Sequence, residues 1–422
     1  MKSLSTCFLI LVIIVSSLLS WHNMIYQVDT LSPFYTDEVA NVQAIVSFLS
    51  KGAYISDRYG PLYSSGIAAT WPSAIGWFIG HSLFASRLAA AFFCWLLALV
   101  LGYWFFRRNG YGPIESIAAP VCIWGLSITA PLAIPYWFGF MYTLGELNTV
   151  ILIGFGILLL SRHPLLSMIF FGLAFWHGKF SFFLLVTAVV LGDILSQRLS
   201  MQRIMHRLLK YGIFFSMPLI IWLVWLCLRF DLAMIKQWFA YTWQWVDHNP
   251  SFYVEGIPSG FSWDVLKQRL SSPYCEWAGY TLGTKIKDLF LTLGAIGVTF
   301  VGLNLAKRKI ITISEREKWI SAMLAFSILF YSSFYFFIHS VMWQRHLQAA
   351  VYAGFGLFIF WGSKWARSCS YNLRWFFYAA AVLLIVLQAV SSAKHPIFQH
   401  QITYSRSCTD LYSSKCDPTI YK

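Results

Sequence analysis

Two adjacent carboxylates, Asp37 and Glu38, stand in Tyr35-Thr36-Asp37-Glu38, just after the first apolar run of the chain. A carboxylate held beside a hydroxyl can take its proton as the oxygen attacks, which is general-base chemistry. On spacing alone a plainer reading competes, because acids in the first turn of a helix complement its dipole. Other ionisable groups stand out against apolar surroundings. They are Arg58 with Tyr59 and Tyr63 in Arg58-Tyr59-Gly60-Pro61-Leu62-Tyr63, Glu146 in Tyr142-Thr143-Leu144-Gly145-Glu146, Lys179 in His177-Gly178-Lys179, and Arg345 with His346 in Trp343-Gln344-Arg345-His346. Guanidinium and ammonium groups both suit phosphate. The plain alternatives are a loop-end acid for Glu146, a snorkelling lysine for Lys179 and an interfacial anchor for Arg345. His177, His339 and His346 lack the spacing of a zinc site, and the eight cysteines contain no CxxC pair, so neither a zinc centre nor a metal cluster is expected. Cys408 and Cys416 lie in a polar tail and can pair if that tail faces an oxidising compartment.

The elements that must position these groups are membrane spans. The sequence is 58% hydrophobic and 11% charged, far from the quarter or so of charged residues in soluble domains. The net charge of +14 comes from short Lys/Arg clusters between apolar runs. That is the pattern of cytoplasmic loops, and no nucleic-acid motif accompanies it, so nucleic acid is not an expected partner.

In chain order, apolar runs at 4–20, 86–106, 114–134, 147–160, 165–176, 180–194, 213–230, 289–305, 319–338, 347–361 and 375–390 predict an all-α polytopic bundle of about 11 spans. The first starts in the cytoplasm. Loops at 22–85 and 231–287 are long and fall on the outer side. Within the first, Thr36 is placed to cap a helix running to about Lys51, with Val39, Val42, Ile45, Val46 and Leu49 on one face. Residues 62–80, apolar but broken by Pro72 and several glycines, predict interfacial or re-entrant helices. Arg107, Arg108, Arg162, Arg198, Arg203, Arg207, Lys210, Lys307, Arg308, Lys309, Arg316, Lys318, Lys364, Arg367 and Arg374 all fall on the cytoplasmic side of this arrangement. Merging the short pieces around Lys179 into one span would put the basic stretch 198–210 outside, so they are read as two. The chain then reads as one membrane module, 1–392, followed by a short non-cytoplasmic tail, 393–422.

At these residues the sequence resembles the GT-C superfamily of integral-membrane glycosyltransferases. The resemblance is nearest to the branch of protein O-mannosyltransferases and the aminoarabinose transferase of lipid A. It rests on Asp37-Glu38 in the first outer loop, and on Tyr59-Gly60-Pro61-Leu62-Tyr63, similar to that branch's His-Pro-Pro-Leu-Tyr. Ser86-Arg87-Leu88 opens a span that closes at Arg107-Arg108, and Arg345-His346 enters a late span. Glu146 and Lys179 stand where that branch carries an acidic and a basic position. Gly60 and His346 depart from the pattern, and the large C-terminal domain of some relatives is missing.

The resemblance implies a polyprenyl-phosphate sugar donor reaching a site on the outer leaflet, and a glycan, lipid or protein acceptor. Asp37 would be the general base, with Glu38, Tyr59, Tyr63 and Glu146 supporting it or contacting sugar or acceptor. Lys179, Arg345, Arg58 and His346 would hold the donor phosphate. It leaves divalent-metal dependence open and implies a multi-pass protein of a bacterial inner membrane with its site facing the periplasm. A transporter, flippase or ligase of lipid-linked glycans is the alternative. A transporter would carry ionisable residues deep within spans, where this sequence is mostly free of charge.

Overall fold

The computed structural model describes residues 2–30, 36–51, 67–128, 145–175, 180–197, 199–236, 240, 258–272, 281–338, 344–368, 371–393, 403–412 and 416. For residues 2–5, 36–37, 51, 67–69, 126–128, 180, 344–346 and 371–381 the helical backbone is described but not the side chain. All regular structure among the described residues is helical. The helices are α1 (Lys2–Thr30), α2 (Thr36–Lys51), α3 (Ile67–Gly80), α4 (Leu83–Arg108), α5 (Pro113–Ile128), α6 (Glu146–Leu159), α7 (Pro164–Phe175) and α8 (Phe180–Ser196). They continue with α9 (Met201–Arg229), α10 (Trp263–Ser271), α11 (Leu282–Lys307), α12 (Glu315–Phe337), α13 (Gln344–Ser368), α14 (Tyr371–Ala393) and the short α15 (Tyr404–Ser407).

Each predicted span falls on one of these helices, with α2 and α3 between the first and second. Among the described residues, five helices are long and apolar enough to cross a membrane: Thr6–Thr30, Leu83–Arg108, Met201–Arg229, Leu282–Lys307 and Glu315–Phe337. Only 17–50% of their most apolar windows is buried inside the protein, so most of that apolar surface faces outward. A surface of this kind requires lipid, and the chain is an integral membrane protein. Local signals set the helix ends. Ser82 caps α4 by accepting from the Ala85 amide at 3.2 Å, and Arg107 and Arg108 close it where the dipole favours cations. Ser314 and Glu317 form a capping box at the start of α12.

Several helices run past the predicted ends. α1 continues to Thr30, beyond residue 20, and carries Asn23 and Asp29 in its buried surface. α9 starts at Met201, so Arg203, Arg207 and Lys210 extend a helix and do not form a loop. α11 starts at Leu282 and takes in Lys285, Lys287 and Asp288. In each case polar residues that end an apolar run in sequence are tolerated inside a helix.

The chain divides into two compact units, Met1–Gly154 with Ser370–Lys422, and Phe155–Cys369. In the first, α1 packs on α4, α5 and α14, and α3 packs on α4. Polar side chains join α1 to α14: Ser16 Oγ donates to Gln388 Oε1 at 3.0 Å, and Ser392 Oγ donates to Asn23 Oδ1 at 3.1 Å. Such bonds hold helices together where lipid leaves little hydrophobic drive between them. α3 and α4 meet through small residues. A Cβ at Gly76 would run into the Ala85 carbonyl and the Ala89 side chain. Gly76→Ala is therefore expected to cost about 1–3 kcal/mol, read as earlier thermal unfolding. Gly362→Ala, where a Cβ meets open space, is the neutral control.

In the second unit, α8 packs on α12, α7 on α9, and α11 on both α12 and α13. The C-terminal turn of α8 carries Asp193, fully buried. It accepts from Arg316 Nε at 2.7 Å, Tyr211 Oη at 3.0 Å and Gln197 Nε2 at 3.0 Å. Beside it, Lys364 Nζ bonds Glu317 Oε1 at 2.8 Å. The last turn of α8, the first turns of α9 and α12 and the last turns of α13 thus gather at one end of this unit. That is the end the sequence assigns to the cytoplasm, and Pro164–Phe175 and Phe180–Ser196 are separate helices.

Candidate active site

Three buried charges of the first unit, Asp29, Glu38 and Arg87, gather at one end, where the last turn of α1, the first turns of α2 and α4, and α15 converge. The centre of that end is a salt bridge from α2 to α4. Arg87 Nε donates to Glu38 Oε1 and Arg87 Nη2 to Glu38 Oε2, both at 2.6 Å, and Arg87 Nη1 donates to the Val28 carbonyl of α1 at 3.1 Å. Both side chains are essentially sealed from solvent, at 0% and 1% exposure. Two parallel bonds fix a carboxylate in orientation as well as position. Arg87 thereby ties the first turn of α2 to two other helices.

A second pair lies alongside. Asp29 sits in the last turn of α1, where the helix dipole disfavours an anion. Its charge is met from the far end of the chain: Arg406 Nε lies 2.6 Å and Thr403 Oγ1 2.8 Å from Asp29 Oδ1. The Arg406 guanidinium also stacks over Phe84 at 5.0 Å. Cys408 and Cys416, whose pairing the sequence leaves open, are disulfide-bonded, and both residues are buried.

α2 itself is more deeply enclosed than one apolar face requires. Every residue from Glu38 to Ile45 is buried, whereas Leu49, predicted on the same face, is half exposed. Asp37 is the second residue of this held helix, and its side chain lies outside the described residues. Glu38 is placed as a structural partner: both of its oxygens face Arg87, so proton abstraction from a substrate is not its geometry.

Glu146 is placed away from any loop rim. It opens α6 after Gly145, whose φ of 75° turns the chain into the helix, and it is 2% exposed. Two residues on, Asn148 Oδ1 accepts from Cys94 Sγ at 2.7 Å, and Gly154 packs on Leu101. α6 therefore runs in the same direction as α4 but begins beside a residue about three turns into it. Its 14 residues span about 21 Å, short of the ~30 Å hydrocarbon core. Glu146 thus lies deep within this unit, beside the middle of α4.

Arg58, Tyr59, Tyr63 and Lys179 lie outside the described residues. Arg345 and His346 are placed as the second and third residues of α13, without their side chains. The second unit carries buried cations that the sequence reading passed over. Arg269 of α10 donates to the Pro258 carbonyl at 2.7 Å and the Tyr335 carbonyl at 3.2 Å, and Lys285 of α11 donates to the Ser272 carbonyl at 2.6 Å. Burial pushes the Arg269 guanidinium below its ordinary pKa, against an opposing effect of Tyr335. Asp29 and Arg406 were missed as well; the signal available in the sequence was a lone acid at the end of the first apolar helix.

No family model matches the sequence, and no curated protein matches it. Among solved structures, the chain is similar to the crystal structure of ArnT from Cupriavidus metallidurans bound to undecaprenyl phosphate, at 14% identity and a TM-score of 0.51, over 91% of this chain and 70% of that one. At this identity the likeness shows the fold alone, an all-helical membrane fold like that of ArnT.

Proposed function

We propose that this protein is a membrane glycosyltransferase that moves a sugar from a polyprenyl-phosphate donor to an acceptor hydroxyl on the outer face of a bacterial inner membrane. The observation that carries this reading is the fold likeness over nearly the whole chain to a protein crystallised with undecaprenyl phosphate. Asp37, on the turn that Arg87 and Glu38 hold in place, is the general base. It takes the acceptor's proton as the hydroxyl oxygen attacks the anomeric carbon. The bond from that carbon to the phosphate oxygen breaks, the polyprenyl phosphate leaves with the electron pair, and attack opposite it inverts the configuration. Lys179, Arg345, Arg58 and His346 hold the phosphate as its charge grows. Tyr59, Tyr63 and Glu146 contact sugar or acceptor. The outer placement is supported by two features. The bonded pair Cys408–Cys416 belongs to the Asp37 end of the first unit, and Arg107 and Arg108 end α4 at the opposite end.

The test is reconstitution of the wild type with a panel of polyprenyl-phosphate sugars and lipid, glycan and protein acceptors. Release of polyprenyl phosphate matched by glycosylated acceptor is the expected result, with nucleotide sugars unused. Movement of a lipid-linked sugar or solute across the bilayer without transfer would make the protein a flippase or transporter. Joining of whole lipid-linked glycans would make it a ligase.

A further inference from the structure

The last described residues of the chain, 403–412 and Cys416, lie against the same end of the first unit that carries Asp37. It touches every element there. Ser405 Oγ donates to the Asp29 carbonyl at 3.1 Å, beside the Arg406–Asp29 pair of α1. The Leu83 amide, at the start of α4, donates to the Cys408 carbonyl at 2.9 Å. From α2, Gln43 Nε2 donates to the Leu411 carbonyl at 2.8 Å. Val39 and Val42 of α2 share a buried cluster with Tyr404, Cys408, Leu411 and Cys416. The Tyr404 hydroxyl donates to the Cys416 carbonyl at 3.0 Å, and its ring lies 5.9 Å from the Arg87 guanidinium.

A short polar segment gains little by ordering itself, because each fixed residue costs backbone entropy. Closing 408–416 into a loop with a disulfide removes part of that cost in advance. The bond is what allows a segment with so few apolar side chains to stay on α2. With Cys408 and Cys416 both buried, it is a constitutive fastening and not a surface switch.

From this arrangement we infer that the segment 403–412, tied to Cys416 by the disulfide, is a positioning clasp for α2, and that sugar transfer depends on the Cys408–Cys416 bond. The second half of that statement rests on the reading of Asp37 as the base. The clasp grips α2 at Val39, Val42 and Gln43, within two turns of Asp37, while Arg87 grips it at Glu38. Loss of the clasp leaves the base on a helix held by Arg87 and by packing on α3 alone, and small misplacements of a reacting group are costly.

The experiment compares the reconstituted wild type with Cys408→Ser/Cys416→Ser and with Gln43→Met, which keeps the disulfide and removes one tie to α2. Hydrogen exchange of the α2 amides and steady-state transfer are both measured. Both variants are expected to exchange faster across 38–47, by about tenfold for the double variant. Its kcat is expected to fall about ten- to a hundredfold, with KM for the donor held within about twofold. A merely structural loss would lower the active fraction and leave kcat per active molecule unchanged. Should the double variant fail to fold, Gln43→Met decides the matter by the same two readings. Unchanged α2 exchange overturns the clasp, and faster exchange with undiminished kcat overturns its link to transfer. A wild type that transfers no sugar from any donor would remove the glycosyltransferase reading alone, because the exchange measurement still decides the clasp.

Discussion

Asp37→Asn is expected to lose about 10²–10⁴-fold in kcat for sugar transfer, while folding and binding of the polyprenyl-phosphate donor persist. The substitution keeps the size and planarity of the side chain and removes only the capacity to accept a proton as a carboxylate. It separates the two readings of this residue cleanly. As a first-turn acid alone, Asp37 would contribute about 0.3–1 kcal/mol through the helix dipole, and its loss would lower Tm slightly with transfer intact. As the base, its loss reverses that pattern: transfer collapses and Tm barely moves. The pH profile gives a second discriminant. A general base works when deprotonated, so wild-type kcat falls as pH is lowered through the titration of the carboxylate. The Asn variant lacks that limb. Release of polyprenyl phosphate, followed against pH for both proteins, checks all of this, and full activity in the variant removes Asp37 from the mechanism.

The parts of this protein that are local in sequence were legible in it. Apolar runs of span length and the Lys/Arg clusters between them placed eleven helices in order, because hydropathy and interfacial charge are properties of short windows. The helix from Thr36 to Lys51 was legible for the same reason. What remained hidden depends on partners far along the chain. α1 extends to Thr30 because Asp29 finds Arg406, 377 residues away, and no window around residue 29 contains that fact. Gln43 reads as a polar break in an apolar face until Leu411 supplies its acceptor, 368 residues on. The depth of Glu146 is likewise invisible, since a loop end at the rim and a helix that starts inside the bundle have the same local sequence. The carboxylate pair divides along this line. Glu38 could be read as a supporting neighbour, but Arg87, known only as part of a short motif, had to be brought next to it by the fold before that support acquired a mechanism.

Arg87→Leu is expected to destabilise the protein by about 3–5 kcal/mol, the largest stability effect at this end of the bundle. The loss comes less from the missing attraction than from what stays behind: Glu38, fully enclosed, loses the guanidinium that meets both of its oxygens. The Val28 carbonyl loses a donor as well. Arg87→Lys is expected to recover only part of the loss, because an ammonium cannot reproduce two parallel bonds to one carboxylate. The informative variant is Arg87→Leu/Glu38→Leu. Replacing both charges removes the stranded anion, and buried pairs exchanged for apolar residues are often neutral or stabilising. The double variant should therefore unfold later than Arg87→Leu, with a coupling well above what an exposed pair shows, about 0.2–1 kcal/mol. Thermal inactivation rates of the reconstituted variants rank them when unfolding is irreversible. Transfer activity then tells positioning from stability. If the salt bridge serves only to hold the fold, the double variant regains transfer with its stability. If it orients the first turn of α2, stability returns while kcat stays low, because an apolar contact between α2 and α4 keeps the helices together without dictating where Asp37 points. Equal stability losses in the single and double variants would mean that the buried pair does not carry the energy its geometry implies.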